Sequence, residues 1–115
     1  MDRIIKAFFY SWEGFRAAFR DEVAFRQEIW VLLVLLPLVL LLPLSATTRA
    51  VMIMTHLLVP LVELLNSAIE AVVDMVTEER HPLAKKAKDY GSSAVFLTLI
   101  LCAVSWLLAL HEWLV

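Results

Sequence analysis

Four polar residues recur at helical spacing along an otherwise apolar stretch in the middle of the chain: Glu63, Asn66, Glu70 and Asp74. At 100° per residue they fall within about 80° of one helix face, which we call the polar face. A carboxylate inside a membrane-spanning helix is costly, so it faces a protein interior or a wet cavity. Three acids and an amide on one face therefore predict a cation or proton site.

Three further charged residues fall near the polar face in the predicted layout: Glu22, Lys88 and Asp89. Phosphoryl transfer requires such a set, because carboxylates hold Mg²⁺, a cation meets the phosphates, and a base takes the proton of the acceptor. The only glycines are Gly14 and Gly91, so the chain has no Gly-rich phosphate loop. Phosphate binding would then depend on side chains and metal.

The bulk composition indicates a single membrane domain, residues 1–115. Hydrophobic residues make up 62% of the 115 residues, too many for an ordinary soluble domain of this size. The net charge of −2 gives no basic field for binding nucleic acid. The single Cys102 excludes an intrachain disulfide and lies in an apolar run, where a packed thiol is expected.

Hydropathy predicts an all-α membrane protein with an N-terminal interfacial helix and three transmembrane helices. The three crossings are assigned to 29–48, 50–74 and 91–112, with a cytoplasmic loop at 75–90. Nine of the ten Lys and Arg residues, all but Arg49, lie on the side of the first helix and this loop. The positive-inside rule makes that side cytoplasmic, which places the C-terminus in the periplasm of a bacterial inner membrane.

Residues 1–28 are predicted to form the interfacial helix. Its apolar residues step by three or four along one side, with charged residues on the flank and opposite side: Ile5, Phe8, Trp12, Phe15, Phe19 and Val23. This pattern suits the membrane interface, and packing on protein is the alternative. If the helix persists, Glu22 lies about 40° from Phe8 and is a candidate site residue; if the helix frays, Glu22 lies in water.

Pro60 and His56 precede Glu63 in the second crossing, and three of the four tryptophans lie near the ends of the apolar segments. Pro60 cannot donate to the carbonyl of His56, so we expect a local kink just before Glu63. His56 itself is interpreted as a packed or interfacial histidine. The tryptophans are interpreted as anchors at the membrane interface: Trp12, Trp30, Trp106 and Trp113.

The segment from Glu63 to Asp74, ELLNSAIEAVVD, closely resembles the signature of the prokaryotic integral-membrane diacylglycerol kinases. Other stretches also resemble sequences of this family: RAAF at 16–19 with EVAFRQE at 22–28, and AKDYGSSA at 87–94. The resemblance covers nearly the whole chain. It implies a homotrimer of three-crossing subunits that uses MgATP to convert diacylglycerol to phosphatidic acid.

The resemblance also implies roles for individual residues. Glu63 would accept the proton, while Glu22 and Glu70 would bind Mg²⁺. Besides those two metal ligands, the nucleotide contacts would be Arg3, Tyr10, Glu79, Arg80, His81, Lys88 and Asp89. Contacts with the lipid would come from Arg3, Trp12, Arg16, Glu28, Glu63 and Ser92. Asn66 and Asp74 would support the site.

Other functions remain open from the residues alone. A kinase of the same build could act on another lipid alcohol, such as undecaprenol, because the motif defines the chemistry better than the acceptor. A small proton- or cation-coupled transporter would also use intramembrane acids. The confinement of the acids to the inner half of the second crossing argues against transport, which favours a midplane site open to both faces. An interhelical polar clamp is the structural alternative for Glu63 and Glu70.

Overall fold

The computed structural model describes all 115 residues, and it contains helices and no strand. Three of its helices are long and apolar enough to cross a membrane. The predicted fold class, an all-α chain with three such helices after an N-terminal amphipathic one, is confirmed. The helices are α1 (Asp2–Asp21), α2 (Val23–Leu41), α3 (Ala46–Val76) and α4 (Pro82–Leu114).

A single residue separates α1 from α2. Glu22 has an extended backbone, with φ −108° and ψ 108°, so the helix neither persists to residue 28 nor frays into water at this point. Arg26 explains the break, because its Nη1 donates to the carbonyl oxygens of Phe19 at 2.9 Å and Arg20 at 3.1 Å. These carbonyls belong to the last turn of α1 and have no partner within the helix. The half-buried Glu22 is thereby placed at a defined elbow.

Side chains close the free helix ends where α2 leads into α3. Arg49 donates to the carbonyl oxygen of Leu42 at 2.8 Å and to that of Val39 at 3.3 Å, at the end of α2. Glu112, near the end of α4, accepts from the backbone N–H of Ser45 at 2.8 Å. Ser45 is the N-cap of α3, so this carboxylate lies at the positive end of the α3 dipole.

The polar connection between α3 and α4 is shorter than predicted. Only 77–81 lies outside the helices, and 82–90 forms the first turns of α4 instead of continuing the expected loop. Proline is favoured in the first turn of a helix, and Pro82 occupies that position. His81 caps the helix by accepting from the backbone N–H of Leu83 at 3.1 Å.

The central helix is α3, which packs against both α4 and α2. Its buried residues recur every three or four positions, so they form one face: Thr48, Met52, His56, Val59, Pro60, Glu63 and Asn66. Only 15 of the 115 residues are buried, and most large apolar side chains of α2 and α4 point outward. Such a surface fits lipid or neighbouring chains and not water.

Candidate active site

The polar face of α3 runs from the protein interior to the surface. Glu63 and Asn66 are each 8% exposed, Glu70 is half-buried, and Asp74 is exposed. Asn66 connects the two ends, because its Nδ2 donates to Glu70 Oε1 at 3.5 Å. One helix face therefore holds carboxyl groups at three depths, from the buried Glu63 to the exposed Asp74.

Glu28 of α2 lies beside Glu63, close enough for the two carboxyl groups to act on each other electrostatically. Glu70 and Glu22 are close enough to act electrostatically on Glu63. The Oε2 atom of Glu28 is buried and has no protein partner. Because like charges so close together repel, this group of acids is built to hold a proton or to attract a cation. The structure thus brings together acids from the elbow (Glu22), from α2 (Glu28) and from α3 (Glu63 and Glu70).

One subunit does not form a closed metal cage, since no three His, Cys, Asp or Glu side chains converge on a common point. Glu22 and Glu70 contribute two carboxylates to the cluster. Mg²⁺ commonly takes only one or two carboxylates and completes its shell with substrate phosphates and water. Two carboxylates would be enough for a magnesium ion whose remaining ligands were phosphate oxygens and water.

The contact between Asn66 and Gly91 sets the spacing of α3 and α4 at this level. Gly91 is buried, and a Cβ atom there would overlap Asn66 Oδ1 and lie 3.1 Å from Asn66 Cγ. The Oδ1 atom is buried with no hydrogen-bond partner. Glycine at this position thus makes room for the Asn66 amide, which lies between Glu63 and Glu70 on the polar face.

A cleft of about 640 Å³ lies above the polar face, around the connection between α3 and α4. It is bordered on one side by an ion pair in which Lys88 Nζ lies 2.7 Å from Asp74 Oδ1. A second pair, Lys85 with Asp89 at 2.6 Å, follows along α4. The cleft is lined by five of the residues for which the resemblance implied nucleotide contacts: Glu79, Arg80, His81, Lys88 and Asp89.

The other residues expected to contact lipid or nucleotide, most of them on α1, are more scattered. Trp12 and Arg16 line a groove of about 440 Å³ between α1 and α2. Tyr10 is exposed, and Arg3 is exposed and forms no ion pair. Ser92 is exposed on α4, one residue beyond Gly91. Within one subunit, Arg3 and Tyr10 are therefore not joined to the group of acids.

Two hydrogen-bonded pairs join residues far apart in the chain, and neither was predicted from the sequence. Trp106 is not simply an interface anchor, because its indole N–H donates to His56 Nε2 at 2.9 Å. His56 is 4% exposed, in agreement with a packed histidine. Glu112, which received no role, caps α3 through Ser45. The only local sign of the first pair was His56, a polar residue inside an otherwise apolar segment.

Residues 9–110 match the family described as prokaryotic diacylglycerol kinase. The chain belongs to this family. It is 54% identical to the diacylglycerol kinase of Pseudomonas aeruginosa over 106 residues, which is 92% of this chain and 86% of that protein. Identity to the diacylglycerol kinase of Escherichia coli K12 is 47% over 108 residues, 94% of this chain and 88% of the relative. The Haemophilus influenzae diacylglycerol kinase is 41% identical over 106 residues, 92% and 90% of the two chains.

We expect Gly91→Ala to destabilise the packing of α3 on α4. The new Cβ forces the Asn66 amide to move, and overpacking of this kind costs about 1–3 kcal/mol, more than the roughly 1 kcal/mol gained from better helix propensity. Thermal unfolding in detergent micelles measures the loss, with the exposed Ser93→Ala as the matched control. Adding Asn66→Ala should make the Gly91→Ala cost smaller. An equally large cost in that background would show that the contact does not limit the spacing.

Proposed function

We propose that this protein is a lipid kinase that transfers the γ-phosphoryl group of ATP to the hydroxyl of diacylglycerol, giving phosphatidic acid. The observation that carries the proposal is the buried Glu63 beneath a polar cleft, in a member of the prokaryotic diacylglycerol kinase family. A soluble substrate would not need a base at that depth. A lipid alcohol, whose hydroxyl lies just below the headgroup surface, would.

Glu63 is the general base in this proposal. It accepts the proton of the lipid hydroxyl as the oxygen attacks the γ-phosphorus and the bond to the β-phosphate oxygen breaks. Its burial keeps water from competing for the phosphoryl group. The carboxyl of Glu28 lies beside that of Glu63 and is assigned to the hydroxyl end of the lipid substrate.

Glu22 and Glu70 would hold Mg²⁺, which would neutralise charge on the phosphates. Glu70 accepts a hydrogen bond from the Asn66 amide and lies on the polar face one turn below Asp74. Lys88 would meet the phosphates, and the ion pair with Asp74 keeps it at the mouth of the cleft. The nucleotide contacts are proposed at the cleft and on α1: Arg3, Tyr10, Glu79, Arg80, His81 and Asp89.

The lipid would approach from the side of α1 and α2. Trp12 and Arg16 line an apolar groove that also includes Phe19 and Phe25 and is open to the surroundings. An arginine beside aromatic rings suits the boundary between headgroups and acyl chains. Arg3 and Ser92 complete the proposed lipid contacts.

We assign the functional unit to a homotrimer with sites shared between subunits. A single chain leaves the group of acids without three convergent ligands and leaves most apolar side chains of α1, α2 and α4 exposed. Charge within a membrane must be shielded from lipid, and one subunit cannot surround the site. The excess of Lys and Arg beside α1 and the cleft supports a cytoplasmic position for both, with the C-terminus in the periplasm.

A direct test gives the purified protein MgATP in mixed micelles with either diacylglycerol or undecaprenol. We expect phosphorylation of diacylglycerol to be much faster, because the relatives bear that name. Phosphatidic acid is measured by transfer of ³²P from labelled ATP. Equal rates, or a faster rate with the prenol, would reassign the acceptor. No phosphorylation of either lipid would contradict a lipid kinase.

Glu63→Gln should lower kcat by about 10²–10⁴-fold, the usual contribution of a general base, while the affinity for nucleotide stays near that of the wild type. The amide keeps the shape of the side chain and loses the basic oxygen. Steady-state kinetics and nucleotide binding measure the two effects separately. Glu13→Gln on the exposed side of α1 is the matched control. Near-normal turnover of Glu63→Gln would show that another group takes the proton.

Glu22→Gln and Glu70→Gln should each raise the Mg²⁺ concentration that gives half-maximal rate by at least about tenfold, because each removes a carboxylate from the proposed metal site. Saturating Mg²⁺ should restore part of kcat. The measurement is a Mg²⁺ titration at fixed free ATP, again with Glu13→Gln for comparison. A lowered kcat with an unchanged Mg²⁺ requirement would remove that residue from the metal site.

A further inference from the structure

The helix α3 lacks one backbone hydrogen bond in the turn before Glu63. Pro60 is buried within α3 and has no N–H, so the helical hydrogen bond to the carbonyl of His56 is missing. A proline inside a helix permits a change of direction between the segments on either side. The position of Glu63 therefore depends on how both segments are held against their neighbours.

Above Pro60, α3 is held on α4 by two contacts already described. Asn66 packs against the space left by Gly91, and Asp74 is paired with Lys88 at 2.7 Å. Both contacts lie on the cytoplasmic side of Glu63 along α3. They fix the upper segment but do not reach across the proline.

Below Pro60, the corresponding contact is made by His56 and Trp106. His56 Nε2 accepts from the Trp106 indole N–H at 2.9 Å, and His56 Nδ1 lies 2.6 Å from the carbonyl oxygen of Met52. The neutral tautomer with its proton on Nδ1 satisfies both contacts. Beside this pair, Cys102 Sγ donates to the carbonyl oxygen of Thr55 at 3.4 Å. The lower segment of α3 is thus joined to two adjacent turns of α4, through Cys102 and Trp106.

We propose that His56 and Trp106 are positioning residues for Glu63. His56 precedes Glu63 by seven residues, two helical turns, and lies about 20° from it around the helix. The hydrogen bond to Trp106 fixes the depth and rotation of the segment that enters Pro60, and Glu63 follows in the next turn. This inference rests on the proposed function, since it concerns the carboxylate assigned as the base.

The kinetic test compares His56→Phe, Trp106→Phe, the double variant and His56→Gln. We expect kcat to fall about 10-fold in each single Phe variant, because a small displacement of the base slows the reaction, with KM for ATP unchanged. The double variant should be no slower than either single one, because both lose the same hydrogen bond. His56→Gln should recover much of kcat, since its amide oxygen can accept from the indole. Trp113→Phe, at the exposed end of α4, is the control.

The hydrogen bond itself is observed by NMR of protein labelled with ¹⁵N-tryptophan. Trp106→Phe identifies the indole N–H signal, which should shift in His56→Phe and return toward its wild-type position in His56→Gln. If the indole signal shifts in His56→Phe while kcat is unchanged, the pair is structural only and the inference is wrong. Multiplying losses in the double variant would also overturn it.

The same measurements separate this inference from the proposed function. If the wild type phosphorylates diacylglycerol and the variants do not differ from it, only the positioning role fails. If the wild type is inactive, the proposed function fails and the positioning role fails with it. Should His56→Phe not fold, Trp106→Phe and His56→Gln provide the same comparison, because loss of kcat in the first and retention in the second is still required.

Discussion

The burial of a carboxyl group within a membrane helix is the constraint on which the rest of the structure depends. Isolated in hydrocarbon, Glu63 would be strongly unfavourable. The fold avoids this cost because α3 is the central helix. Glu28 of α2 lies beside Glu63, and Asn66 lies one turn above it. The apolar outer surfaces of α2 and α4 then separate the acids from lipid, and neighbouring subunits would complete the enclosure in the proposed trimer.

The length of α3 lets the polar face connect the membrane interior with water. Its 31 residues span about 46 Å, well beyond the roughly 30 Å of a hydrocarbon core. Asp74 can therefore be exposed at the surface and pair with Lys88, while Glu63 remains buried three turns below. At the opposite end Ser45 and Glu112 close the first turn. A reaction between a water-soluble nucleotide and a membrane lipid needs this vertical arrangement of charged groups.

Local patterns predicted the helices and the polar face, because hydropathy and the helical period are properties of neighbouring residues. The break at Glu22 was not predictable, since it depends on Arg26 reaching back to the carbonyls of Phe19 and Arg20. The two polar pairs within the apolar segments join residues 50 and 67 positions apart, His56 with Trp106 and Ser45 with Glu112. Spacing along the chain carries no sign of such partners.

In the proposed kinase, the polar face of α3 binds the metal and its nucleotide. Mn²⁺ prefers the same oxygen ligands as Mg²⁺, and it broadens the NMR signals of nuclei near it. Adding Mn²⁺ with a non-hydrolysable ATP analogue to the protein in micelles tests the claim most directly. We expect the strongest broadening for the backbone amides of 66–74 and of Glu22, and little at Ser45. Strongest broadening near Ser45, or none that depends on the nucleotide, would contradict it.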